Sequence, residues 1–175
     1  MAKREILHIP DSRLREVCAP VEKVDDEVRA ILDDMLETMY DAPGIGLAGC
    51  QVGVMRRLVV IDVAGREDEE PSPIYLVNPR LTVVSDELSV HQEGCLSIPE
   101  YYEDVERPAR CTVEFLDRDG KPQVMECEGI LATCVQHELD HLDGRLFIDH
   151  LSRLKRDRVM KKFSKIDRRK TETVG

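Results

Sequence analysis

The chain has 175 residues, of which 42% are hydrophobic and 34% charged, and its formal net charge at pH 7 is −10. This length suffices for one domain with a hydrophobic core, and we predict a single domain over residues 1–175. The chain shows no apolar run near the roughly 20 residues of a membrane helix, no signal-peptide core and only six irregularly spaced cysteines, so we expect a cytoplasmic protein with reduced thiols and no membrane association.

Residues 25–41 predict the first helix. Apolar side chains at positions 28, 31, 32, 35, 36 and 39 recur with a helical period. Asp25 or Asp26 can cap the helix, and Pro43 with Gly44 ends it. An apolar strand is predicted at 57–63, followed by a polar, acidic loop at 65–73.

Four strands and a second helix are predicted in the next part of the chain. The strands cover residues 74–78, 81–90, 111–117 and 122–127, with a turn at Asp119-Gly120 before the last. Gly129 begins the second helix, and Gly144 ends it as the first residue beyond the C-cap. We therefore predict an α+β fold, with antiparallel or mixed sheets around this central helix and a further helix near each end of the chain.

The last predicted helix, residues 152–170, is strongly basic. Residues 153–170 hold ten Lys or Arg against two Asp, a local charge of +8 in an otherwise acidic chain. Ser152 can cap this helix, and an apolar stripe should pack on the body of the protein: Leu154, Val159, Phe163 and Ile166. Such a charge contrast suggests a partner for the basic segment, although a solvated helix face would look the same.

Residues 137–141, His-Glu-Leu-Asp-His, are typical of a metal site on a helix. His137 and His141 lie one turn apart, so both imidazoles leave the same face and can hold one divalent metal. Glu138 between them can act as general base on metal-bound water. A catalytic site of this kind needs a third protein ligand and one open position.

The third ligand is not settled by spacing alone. Phe147 stands where a metzincin protease would have a histidine, and His150 lies beyond the predicted end of the helix. Cys134 is roughly 10 Å from His141 along a helix axis, too far for a short side chain. The upstream candidates alternate along one segment: His91, Glu93 and Cys95. Of these a thiolate is the strongest ligand.

Three strings, taken in order, resemble the motifs of the peptide deformylase family. Residues 44–52 read Gly-Ile-Gly-Leu-Ala-Gly-Cys-Gln-Val, residues 93–97 read Glu-Gly-Cys-Leu-Ser, and residues 136–142 read Gln-His-Glu-Leu-Asp-His-Leu. Similar strings extend the resemblance from about residue 5 to about residue 170. Three motifs in the right order are far more specific than one His-Glu-x-x-His.

The resemblance implies a metallohydrolase that removes the N-formyl group from the initiator methionine of newly made polypeptides and releases formate. It implies that Cys95 joins His137 and His141 as metal ligands, and that metal-bound hydroxide attacks while Glu138 serves as general base and then acid. It also implies one divalent ion with Fe²⁺ as the working metal, whereas the donors alone fit Zn²⁺ equally well. Isolated protein is expected to carry Fe²⁺, Zn²⁺, Ni²⁺ or Co²⁺.

Further roles follow from the resemblance. The Gln51 side chain and the Leu96 backbone N–H are expected to stabilise the oxyanion. For Arg107 we predict an ion pair with Glu93 that fixes the loop of Cys95, with an exposed surface charge as the open alternative. The residues expected to contact the substrate are Ile45, Gly46, Glu93, Gly94, Ile130, Thr133 and Cys134.

The resemblance also bears on partners. It implies N-formyl-methionine peptides as substrates and a ribosome contact through the basic helix 153–170, and we expect a monomer that binds no DNA. Two other functions remain open at this stage. One is a zinc endopeptidase built on the same His-Glu-His core, and the other is a non-catalytic metal-binding protein recruited to ribosomes through its basic helix.

Overall fold

The computed structural model describes residues 2–67 and 69–174, with the side chains of residues 66, 67 and 170–174 left out of the description. The predicted α+β fold is confirmed, with three α-helices and antiparallel sheets in the described ranges. The helices are α1 (Asp26–Asp41), α2 (Gly129–Leu142) and α3 (Arg153–Val174). The strands are β1 (Gly46–Ala48), β2 (Leu58–Ile61), β3 (Ile74–Val84), β4 (Leu88–Cys95), β5 (Ile98–Pro108), β6 (Arg110–Leu116) and β7 (Pro122–Glu128).

Five strands form one antiparallel sheet in the order β1-β2-β3-β6-β7, and β4 pairs with β5 in a separate hairpin. The short strand β2 explains how the sheet is buried. Its side chains alternate, so that Val59 and Ile61 belong to the core cluster under α2, while Leu58 and Val60 belong to the cluster under α1. Helices therefore cover both faces of the sheet at β2, which is why this strand reads as a continuous apolar run.

The helix limits follow local sequence signals closely. The Asp25 carboxylate accepts a hydrogen bond of 2.9 Å from the Val28 N–H and caps α1, as predicted. At the end of α2, Gly144 has φ = 74° and follows the C-cap Asp143. A Cβ at this position would also collide with the Arg15 carbonyl, so only glycine fits where α2 stops.

The strand prediction was wrong between residues 74 and 110. A single strand, β3, covers residues 74–84, and the predicted strand at 81–90 is broken by a turn before β4 begins at Leu88. The Ser85 hydroxyl closes this turn by donating to the Glu87 carbonyl and accepting from the Arg110 N–H. Strands β1 and β5 were not predicted. In β5 an inward position is taken by Arg107, which hides the apolar alternation.

The acidic loop predicted at 65–73 begins as a 3-10 turn, Ala64–Glu67, and Asp68 lies outside the described residues.

Helix α3 is part of the packed structure. Its Val159 and Phe163 are 3% and 6% exposed and join a third core cluster with Ile98 and Val105 of β5. The predicted stripe was wrong at Leu154, which is 62% exposed. As predicted, the Ser152 hydroxyl caps the helix by accepting from the Lys155 N–H at 3.3 Å. None of the three described helices is long and apolar enough to cross a membrane.

Candidate metal centre

Two elements that are distant in sequence bring three metal-ligating side chains together. Helix α2 presents His137 and His141 on one face, and Cys95 ends strand β4. One donor atom from each residue lies within 4.8 Å of the others, and the Cys95 Sγ is 3.4 Å from the His141 Nε2. The described part of the chain contains one such group, Cys95, His137 and His141, which we call the metal-ligating group. Its members are the residues predicted to bind the metal.

Neighbouring side chains fix the orientation of His137. Its Nδ1 donates to the Glu93 Oε1 at 2.9 Å, which leaves Nε2 for a ligand on the other side of the ring. The ring also stacks on Phe147, with centroids 5.8 Å apart. The imidazole is thus held by a hydrogen bond along one edge and by an aromatic face.

Arg107 ties the β4–β5 hairpin to α2. Its guanidinium donates to both oxygens of Glu93, at 2.7 and 2.9 Å, and to the Asp140 carboxylate at 2.9 Å. The predicted Arg107–Glu93 pair is therefore confirmed, and both side chains are almost fully buried. Asp140 therefore belongs to the same network, and its carboxylate also accepts a hydrogen bond of 2.9 Å from the His150 Nε2.

The network holds Glu93 ionised. Burial favours the neutral acid, but hydrogen bonds from His137 and Arg107 outweigh burial and lower the pKa of Glu93 below its ordinary value. Burial acts against the charge on His137 as well, yet the Cys95 and Glu93 side chains raise its pKa well above the usual value. This environment therefore favours positive charge between Cys95 and Glu93, as a cation site requires.

Around Glu138 and His141 burial dominates, and it favours the neutral form of both side chains. Burial raises the pKa of Glu138 to about 7, and burial together with the nearby His137 lowers the pKa of His141. Among the described residues, the Glu138 Oε1 and the His141 Nδ1 are buried without a hydrogen-bond partner. Because buried polar atoms are normally paired, the Glu138 Oε1 fits a site completed by a ligand. The His141 Nδ1 lies on the ring edge away from Cys95, since the Nε2 is the nitrogen that faces the thiol.

The metal-ligating group borders a cleft of about 910 Å³. Every residue predicted to bind the metal, to catalyse the reaction or to contact the substrate lines this cleft except His141, which lies fully buried. The predicted residues that line it are Ile45, Gly46, Gln51, Glu93, Gly94, Cys95, Leu96, Ile130, Thr133, Cys134, His137 and Glu138. His91, considered as a ligand, also lines the cleft but is not part of the metal-ligating group.

Within the cleft, the backbone of β1 lies against two side chains of α2, Glu138 and Cys134. A Cβ on Gly46 would lie 2.6 Å from the Glu138 Oε2 and 2.8 Å from the Cys134 Sγ, so any side chain at this position would displace Glu138. The Cys134 thiol is directed to the Ile45 carbonyl at 3.7 Å and is not a member of the metal-ligating group. Cys134 is thus a wall of the cleft, in line with the distance argument against it as a ligand.

The Gln51 amide is held at both ends. Its Oε1 accepts from the Ala48 N–H at 2.9 Å, and its Nε2 donates to the Ser97 hydroxyl at 3.0 Å and approaches the Cys95 Sγ at 3.4 Å. Sequence reasoning gave Ser97 no role, although it lies two residues after Cys95 in a recognised motif. The amide therefore points at the same region as the three donor atoms.

Comparisons with known proteins agree with this geometry. The family model for polypeptide deformylase matches residues 3–157. A peptide deformylase of Agrobacterium fabrum is 58% identical over 170 residues, covering 97% of this chain and 99% of the relative. Crystal structures of peptide deformylases from Ehrlichia chaffeensis, in complex with actinonin, and from Legionella pneumophila superpose with TM-scores of 0.90 and 0.87. These two are 41% and 45% identical and cover 96% and 97% of this chain, and 99% and 98% of their own chains.

Replacing Cys95 tests the donor group directly. With Co²⁺ as a probe, we expect the sulfur-to-metal charge-transfer absorption in the near ultraviolet to disappear in Cys95→Ser. Cys134→Ser is the matched control, because that thiol lines the cleft outside the metal-ligating group, and it should keep the band. Loss of the band in Cys134→Ser with retention in Cys95→Ser would contradict the assignment.

Replacing Arg107 tests the buried network. Arg107→Met leaves Glu93 buried with less compensation, and we expect about 3–5 kcal/mol lower free energy of unfolding and roughly 10–100-fold weaker metal binding. Urea denaturation and competition with a chelator measure the two effects. The control is Arg110→Met, whose ion pair with Glu87 is exposed, and its free energy of unfolding should change by less than about 1 kcal/mol. Equal effects in the two variants would refute a special role for Arg107.

Proposed function

The chain belongs to the peptide deformylase family, metal-dependent hydrolases that remove the N-formyl group from nascent peptides, and on this premise we propose that Cys95, His137 and His141 hold its metal. The observation that carries the proposal is the convergence of one sulfur and two nitrogens at the floor of a cleft, beside the buried carboxylate of Glu138. Among the described residues, none downstream of His141 joins the two histidines in place of Cys95. Phe147, where a metzincin has a histidine, is buried against His137, which argues against an endopeptidase.

The donor group suits a divalent ion. A thiolate and two neutral imidazoles leave such an ion with a net positive charge, and donors of this kind accept Fe²⁺, Co²⁺, Ni²⁺ and Zn²⁺. We propose Fe²⁺ as the working ion, on the resemblance of the three motifs to those of the family. When bound, the ion supplies Lewis acidity, which polarises a carbonyl and makes water more acidic.

Glu138 is proposed to carry the proton. It would accept a proton from the attacking water and return it to the amine that leaves the formyl carbon. A pKa near 7, caused by burial, suits both steps, because the carboxylate can gain and lose a proton near neutral pH. Gly46 leaves room for the carboxylate, since a Cβ at this position would lie 2.6 Å from the Glu138 Oε2.

Gln51 and Leu96 are proposed to stabilise the negative oxygen of the tetrahedral intermediate. The Gln51 Nε2 lies beside Cys95 and Ser97, and the Leu96 N–H follows Cys95 in the chain. Because the Ala48 N–H fixes the other end of the Gln51 amide, its NH₂ group points into the site with little freedom. Donors that are already oriented need no reorganisation when charge develops.

The peptide is proposed to lie along β1. This strand is the edge of the five-stranded sheet and pairs with β2 on its other side, so an extended chain can add beside Ile45 and Gly46. The methionine side chain would enter the inner end of the cleft, next to Ile130, Thr133 and Cys134. Glu93 and Gly94 would form the facing wall, with the Glu93 carboxylate already engaged by Arg107 and His137.

We also propose that α3 binds ribosomal RNA. Val159 and Phe163 anchor its apolar side in the core, and basic residues such as Arg158, Lys161 and Lys165 are exposed on its other sides. Exposed cations along one helix attract phosphate. A deformylase acts where formylated chains are made, which favours the cytoplasm, and we propose a monomer because the three donor side chains and Glu138 come together within a single chain.

Glu138→Gln tests the chemistry. Formate release from a short formyl-methionine peptide should fall by about 10²–10⁴-fold at equal metal content, because the amide cannot accept the proton. Anaerobically prepared protein loaded with Fe²⁺ or Ni²⁺ is the material, with metal content measured on the same samples.

The control for this variant is Glu126→Gln, an exposed residue of β7 outside the cleft, which should retain full turnover. Equal turnover by wild type and Glu138→Gln would remove Glu138 from the reaction, and absence of turnover in the metal-loaded wild type would refute the proposed activity.

Charge removal on α3 tests the ribosome contact better than deletion, because α3 contributes Val159 and Phe163 to the core. We expect substitution of four exposed residues by glutamine to weaken ribosome binding and reduce its dependence on salt by about one unit of slope per lost phosphate contact. The four are Arg158, Lys161, Lys162 and Lys165. Turnover of a short peptide should not change, and unchanged ribosome binding would contradict the proposal. Sedimentation with purified ribosomes over a salt series measures the effect.

A further inference from the structure

The residues that line the cleft are buried at its inner end and exposed at its mouth. At the inner end the residues beside the metal-ligating group are buried, including Gln51, Glu93 and Glu138. At the outer end the lining residues are exposed, among them Gln92, Pro99, Glu100 and Tyr102. If the formyl group lies at the inner end, as the proposed function on which this inference rests requires, the residues after methionine must leave the protein across this mouth.

Tyr102 offers an open aromatic surface at the mouth. It is paired with Gly94 across the β4–β5 hairpin, and its ring packs so closely on the Gly94 backbone that a Cβ there would overlap the ring. The side chain is nevertheless 59% exposed. Contact with Gly94 thus positions the ring, while much of its surface remains open to whatever occupies the mouth.

Glu100 places a carboxylate at the same mouth. It lies two residues before Tyr102 in β5, lines the cleft and is exposed. Two neighbouring acids have cationic partners, since Glu93 is bound by Arg107 and Glu103 by Lys155. Over the described residues, no lysine or arginine lines the cleft, so no such side chain there neutralises the negative charge of Glu100.

We infer that Glu100 and Tyr102 select nascent peptides that carry lysine or arginine shortly after the formyl-methionine. A carboxylate pairs with a cation, and the face of a tyrosine ring attracts one, so the two groups favour the same side-chain chemistry. Residues 1–152 carry a net charge of −17, which adds a wider field of the same sign. A peptide with an acidic residue at this place meets repulsion from Glu100.

Matched peptides test the inference. Formyl-methionine tripeptides with lysine at the second or third position are compared with the same peptides carrying norleucine, which has a similar length and no charge. The measured quantity is the ratio of kcat/KM for lysine over norleucine at low salt. An aromatic ring acting alone, through apolar contact, would not favour lysine in this comparison.

For the wild type we expect a ratio of about three to five in at least one position, as an exposed ion pair allows. In Glu100→Gln the ratio should fall towards one, and in Tyr102→Leu it should fall in part. The matched control is Glu106→Gln, an exposed acid of the same strand that does not line the cleft, and it should keep the wild-type ratio. Added salt should lower the wild-type ratio.

A wild-type ratio of one in both positions would overturn the inference while formate release continued to support the proposed function. A raised ratio that is the same in Glu100→Gln and wild type would also overturn it. Absence of formate release from every peptide by the metal-loaded wild type would reject the proposed function, and this inference with it.

Discussion

The contact on which the site depends is the buried bridge from Arg107 to Glu93 and Asp140. The β4–β5 hairpin forms no ladder with the strands of the five-stranded sheet, so side chains must hold it against α2. A buried ion pair is expensive unless its hydrogen bonds are complete. Here both Glu93 oxygens are used, and the same carboxylate also orients His137. One network therefore sets the hairpin position, the Cys95 position and the direction of an imidazole.

Features encoded in short stretches of sequence could be predicted, and features that depend on distant contacts could not. The period of α1 and the glycine after α2 are local signals, and both appear in the structure. Strand β5 was missed because its inward-facing Arg107 is paired with partners elsewhere in the chain. The turn at Ser85, which divides the predicted strand 81–90, likewise relies on Arg110.

In the candidate site, too, the features set by local sequence were predictable and those set by distant contacts were not. The spacing of His137 and His141 on a helix was enough to bring them together. Ligand strength favoured Cys95 over His91 and Glu93, but only the family resemblance assigned it as the third ligand. Ser97, which holds the Gln51 amide, and Asp140, which extends the Arg107 network, have no signature of their own. Their roles arise from packing between segments, which a single sequence does not reveal.

Because the donor atoms come from the tip of a hairpin and from a helix far along the chain, a divalent ion held by all three binds the native fold and not the unfolded chain. Ligands with this preference add RT ln(1 + [L]/Kd) to the free energy of unfolding. The fraction of molecules that is unfolded, and so open to proteolysis, would then fall as the free metal concentration in the cell rises. Metal supply would thus govern how long each molecule survives as well as how fast it works.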